Sequence, residues 1–94
     1  MVHRVYILLD IVDGTAEQVA RTLQEKPGVI IVDVLESLPV VMLENPPNVI
    51  MMIQAHERRK LAELTIQALA SVETMIEHVC LLPAGDGLST NQKK

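Results

Sequence analysis

Apolar residues fall along this chain either in nearly unbroken runs or in stripes at helical spacing, and the switches between the two mark out the elements. From His3 to Val12 aliphatic and β-branched side chains run almost unbroken up to Asp13-Gly14, which predicts a strand closed by a turn. Thr15 opens a helix, and Gln18 three residues on completes a capping-box spacing. Ala16, Val19, Ala20 and Leu23 follow on one helical stripe until Pro27-Gly28 ends it. Val29 to Leu35 predicts a second strand.

The stretch from Glu36 to Asn48 holds Pro39, Pro46 and Pro47, which cannot donate to a sheet ladder. It reads either as a strand bent at Pro39 and continued through Val40 to Leu43, or as a loop over the sheet edge. Asn45-Pro46-Pro47-Asn48 is a turn in both cases. Val49 to Ala55 predicts the third strand, and Glu57 to Ser71 a second helix burying Leu61, Leu64, Ala68 and Leu69. Met75 to Leu82 predicts the last strand.

The order strand, helix, strand, strand, helix, strand is that of a ferredoxin-like βαββαβ α+β fold, with both helices on one face of an antiparallel four-stranded sheet. We expect one domain over residues 1–83. Gly, Asp, Ser, Thr, Asn, Gln and Lys replace apolar residues over 84–94, which predicts a mobile tail.

Two helices cover one sheet face only, yet the predicted strands are apolar on both. Leu8, Val32, Val34, Ile50 and Met52 fall on the outer side if side chains alternate strictly. With 49% of residues hydrophobic and 21% charged, the apolar content exceeds what one thin core conceals. A homodimer or higher oligomer is therefore expected, held by those five residues.

Charge and chemistry narrow the partners. A net charge of −4 and the absence of Phe and Trp argue against nucleic-acid contact, which favours basic stripes and stacking platforms. No apolar run approaches the roughly 20 residues of a membrane span, and no signal peptide is apparent at the start. The single cysteine, Cys80, fits a reducing compartment, so the cytoplasm is the expected location.

Polar groups on otherwise apolar strands, Tyr6, Asp10, Asp33 and Glu36, together with Asn48 in the turn before the third strand, are the candidate lining for a small ligand. Met42, Met51, Met52 and Met75 read as an adaptable apolar lining or as core filler. His78 and Cys80 share a strand face, but a zinc site needs three or four ligands, and His3 and His56 sit on other elements. Neither a metal nor a cofactor is expected. Arg58-Arg59-Lys60 reads as a solvated face or an anion-capturing patch. No phosphate loop, nucleophile elbow or metal-binding helix motif occurs, so the chain is not expected to be an enzyme.

Three segments carry a family resemblance: Asp13-Gly14 with Ala20 and Leu23 leading to Pro27-Gly28-Val29; Asn48-Val49-Ile50-Met51-Met52-Ile53-Gln54-Ala55; and Val79-Cys80-Leu81-Leu82. In these the chain resembles the ligand-binding (RAM) domain of Lrp/AsnC-type regulators, in a stand-alone form without a helix-turn-helix. Pro-Gly-Val after a helix is shared with other ferredoxin-like families, such as ACT domains and the nitrate reductase chaperone NapD. Asn48 stands where the Lrp/AsnC family carries an acidic residue, and Thr74-Met75 stands where it carries Gly-Val. The resemblance implies a fold of the dimeric α+β barrel type, binding of a small effector such as an amino acid between subunits, and a part in transcriptional or metabolic regulation. Two other readings stay open: an assembly module binding a partner segment at its sheet, and a cofactor-free enzyme built on His3, Tyr6, His78 and Cys80.

Overall fold

A computed structural model of the chain describes residues 2–36 and 46–85. Strand β1 (His3–Ile11) leads into helix α1 (Ala16–Gln24), then β2 (Val29–Val34), β3 (Val49–Ala55), helix α2 (Arg58–Ser71), a short 3-10 turn over Glu73–Met75, and β4 (Ile76–Ala84). The strands form one antiparallel sheet in the order β2-β3-β1-β4. This is the ferredoxin-like βαββαβ arrangement.

The turns are set by backbone chemistry. Thr15 N–H donates to the Val12 carbonyl at 3.1 Å, and Gly14 sits between them at φ +87, a conformation that glycine adopts without strain. At the far end of α1, Val29 N–H donates to the Lys26 carbonyl, with Pro27 and Gly28 (φ +83) as the central residues. That is the residue pattern a type II turn demands. The capping box does not form: Thr15 Oγ1 donates back to the Val12 carbonyl at 2.7 Å and caps no helix donor.

The core lies between the helices and one sheet face. Val5, Ile7, Leu9 and Ile11 of β1 and Val49, Met51 and Ile53 of β3 meet Val19 and Leu23 of α1, Leu64 and Ala68 of α2, and Val72 after it. Thr65 is buried with them, its hydroxyl satisfied by the Leu61 carbonyl at 2.8 Å. The expected Leu61 and Leu69 are only partly buried against this cluster.

Two β-bulges overturn simple alternation. In β2 the register slips between Val29, opposite Ile53, and Ile31, opposite Met52. Val32 and Val34 thereby join Val29 on the helix side, opposite Met51 and Val49, and the open side receives Ile31 and Asp33. The expectation that Val32 and Val34 stand on the outer face is corrected: one inserted residue flips the parity of all that follows. In β4 a second slip, at Glu77, pairs Ile76 with Ile11 and His78 with Asp10. This turns Ile76 toward the core and leaves His78 on the open side.

Strand β4 ends at Ala84, past the 1–83 boundary expected from composition. Residues 86–94 of the expected tail, and the alternatives for the segment through Pro39, Val40, Met42 and Leu43, lie outside the described residues. None of the described helices is long and apolar enough to cross a membrane.

Candidate functional site

The register places the open-face side chains in cross-strand rows. One row runs Ile31, Met52, Tyr6, Leu82, and the next runs Asp33, Ile50, Leu8, Cys80. Beyond the second row come Asp10 and His78, and beyond the first, Gln54, Arg4 and Ala84. The centre of the face is thus apolar, one end carries Asp10 and His78, and the other carries Arg4. Leu8, Tyr6 and Ile50 are half-buried, Met52 is buried, and Ile31 and Leu82 are 49% and 47% exposed. No described element covers this side.

At the acidic end, His78 Nδ1 and Asp10 Oδ2 lie 3.1 Å apart, with the Asp10 side chain only 20% exposed and that of His78 59%. The second carboxylate oxygen of Asp10 has no hydrogen-bond partner among the described residues. The pairing spans 68 positions of sequence, and only the strand register brings it about.

Asn48, a candidate for the ligand lining, has its side-chain amide held by the backbone of Ile11. Its Oδ1 accepts from Ile11 N–H at 2.8 Å and its Nδ2 donates to the Ile11 carbonyl at 2.9 Å, so the amide imitates a peptide group at the next step of the ladder. Its own N–H donates to the Leu9 carbonyl, and its carbonyl accepts from Leu35 N–H. One residue ties the ends of β1 and β2 to the start of β3, and both of its side-chain groups are engaged by backbone.

Of the candidate lining, Tyr6, Asp10 and Asp33 share the open face, whereas Glu36 is exposed beyond the end of β2. The methionines divide: Met51 is in the core, Met75 is partly buried against it, and Met52 is on the open face. Tyr6, His78 and Cys80 are on the open side, but His3 pairs with Ala55 in helix-side parity and does not join them. No group of three or more metal-binding side chains occurs among the described residues. The basic cluster forms the exposed first turn of α2, where Lys60 reaches Glu63 at 4.0 Å. Ile31 escaped the sequence reading because its place on the face depends on a bulge, whereas alternation alone puts Arg4 with Tyr6, Leu8 and Asp10 and the reading passed it over.

The fold and its bare sheet face invite comparison with solved proteins. No family model and no curated protein matches the chain. Its fold is shared with transcriptional regulators. A regulator of Neisseria meningitidis, NMB0573, solved as a complex with L-Met, superposes with a TM-score of 0.64 at 10% identity, over 93% of this chain and 52% of that one. PF0864 of Pyrococcus furiosus, a transcriptional regulatory protein of the AsnC family, gives 0.60 at 18% identity, over 90% and 54%. This chain spans about half the length of each regulator. It also matches small proteins end to end, such as TTHA0845 of Thermus thermophilus, with a TM-score of 0.71 at 16% identity over 93% and 96%. At such identities the likeness is one of fold.

Proposed function

We propose that the chain is a non-catalytic regulatory domain that works as a homo-oligomer and binds a small effector, with amino acids the class to test first. The observation that carries this reading is the open sheet face, whose two central rows are apolar apart from Asp33 at the edge. Strands of nine, six, seven and nine residues, at about 3.4 Å per residue and about 4.8 Å apart, give a footprint on the order of 500 Å². Side-chain relief brings that near the roughly 800 Å² per partner of a specific interface. The fold shared with a regulator solved with L-Met supports the choice of effector. The carboxylate of Asp33, at the rim of the face, suits an ammonium group, and Ile31 and Ile50 offer apolar contact near it.

The experiment is light scattering of the purified chain with and without a pool of amino acids. An oligomer whose mass or melting temperature responds to the pool supports the reading. Leu8→Asp, which buries an unpaired charge between copies, should give a monomer of unchanged fold; a wild-type chain that is monomeric at every concentration and indifferent to the pool sinks the reading. A second reading rests on β4, an edge strand bearing exposed apolar side chains on both sides: Val79 and Leu81 on one, Leu82 on the other. Such an edge suits an added strand from a partner protein, and a monomer that tightly binds an extended peptide would favour it.

A further inference from the structure

The open face is polarised along its strands, and that polarity selects how a second copy docks on it. Resting on the assembly reading above, we propose that two copies pack sheet to sheet about a two-fold axis that runs across the strands, so that Arg4 of each copy meets Asp10 of the other. Two symmetric sites then form, each made of Asp10 and His78 from one copy and Arg4 from its partner.

The argument is one of matching rows. Along β1 the open-face residues are Arg4, Tyr6, Leu8 and Asp10 in sequence. A two-fold axis across the strands, midway between the Tyr6 and Leu8 rows, lays β1 on the partner's β1 in the opposite direction. Arg4 then stands over Asp10, Tyr6 over Leu8, Met52 over Ile50 and Leu82 over Cys80. His78 faces the small Ala84, leaving room at the end of the face for the guanidinium. The apolar rows cover one another, and the two charged residues of β1 meet their opposites, while Asp33 comes over Ile31 of the partner subunit. Asp33, on the exposed outer strand β2, stays at the wet rim.

The alternative axis runs along the strands and stacks β1 on the partner's β3. Asp10 would then face Asn48, whose amide is already engaged by Ile11 at both ends, and Arg4 would face Gln54. The Asp10 oxygen that has no partner among the described residues would be enclosed without a donor, which a partly buried carboxylate tolerates poorly. Pairing across the strands supplies that donor from Arg4, whose present hydrogen bond is a long, exposed one to the Gly85 carbonyl at 3.4 Å. The other charged or titratable groups on the face are His78, already on Asp10, and Asp33, Tyr6 and Cys80.

The test is a charge swap read as the dimer dissociation constant by sedimentation at low ionic strength, with circular dichroism to confirm folding. Arg4→Glu and Asp10→Arg should each weaken the dimer by about tenfold or more, and the double variant Arg4→Glu/Asp10→Arg should recover most of that loss. Asp10→Arg is the sharper arm. It brings the net charge of −4 two units closer to zero, so general repulsion between copies falls and the dimer tightens unless Asp10 has a specific cationic partner. If the wild type dimerises and Leu8→Asp abolishes the dimer, yet Asp10→Arg tightens it or the swap restores nothing, this docking mode is overturned while the assembly reading stands. If the wild type never dimerises, or Leu8→Asp keeps its mass, the use of the open face fails and this mode with it.

Discussion

Replacing Asn48 by Asp separates a structural clamp from a ligand contact by changing one atom. The carboxylate still accepts from Ile11 N–H, 2.8 Å from the present Oδ1, but the oxygen that replaces Nδ2 faces the Ile11 carbonyl oxygen, now 2.9 Å away. Losing that hydrogen bond and leaving a partly buried carbonyl without a donor costs about 1–3 kcal/mol at neutral pH. For a chain of 94 residues this lowers the melting temperature by roughly 5–20 °C. The pH dependence is diagnostic. A protonated carboxyl donates to Ile11 as the amide does, so the introduced group binds its proton more tightly folded than unfolded and its folded pKa rises. The stability gained from that proton is fully present below the unfolded value of about 3.9 and is lost as pH rises through the raised folded value. The gap between variant and wild type should therefore narrow toward pH 4 and widen toward pH 7 in urea unfolding at fixed protein concentration. Equal stability at pH 7, or a gap that does not change with pH, refutes the clamp.

Gly28→Ala should destabilise by about 2–5 kcal/mol, since φ is +83 and a Cβ would lie 2.6 Å from Leu64 Cδ1 and 3.3 Å from the Gln54 carbonyl oxygen; a melting temperature within a few degrees of wild type contradicts it. Val32→Asp should lower stability by several kcal/mol, because Val32 packs against the core, whereas Ile31→Asp should leave folding within about 1 kcal/mol and act on assembly. Strict alternation from Val29 predicts the reverse order, so paired urea titrations decide whether the bulge is real.

What the residue pattern could specify was local. The nearly unbroken apolar runs from His3 to Val12 and from Val49 to Ala55, the stripe of Val19, Ala20 and Leu23, and the Pro27-Gly28 turn sufficed to place both α-helices and all four strands of the described residues to within a residue or two. Each signal is carried by neighbours in the chain, and the order of elements then admits few topologies. Composition also announced a sheet too apolar for its two helices to cover. The tertiary structure decided which residues occupy the bare face. Bulges at Ile30 and Glu77 invert side-chain parity, and no turn or breaker residue in the chain marks them, so Val32 and Val34 were assigned to the wrong side and Ile31 was missed. Nothing local shows that Ile11 stands opposite Asn48 and engages its side-chain amide. Alternation along β1 alone sets Arg4 and Asp10 at opposite ends of one face, but Asp10 meets His78 only once β1 and β4 are held in register. Polarity across strands is a property of long-range pairing, and a sequence read position by position does not contain it.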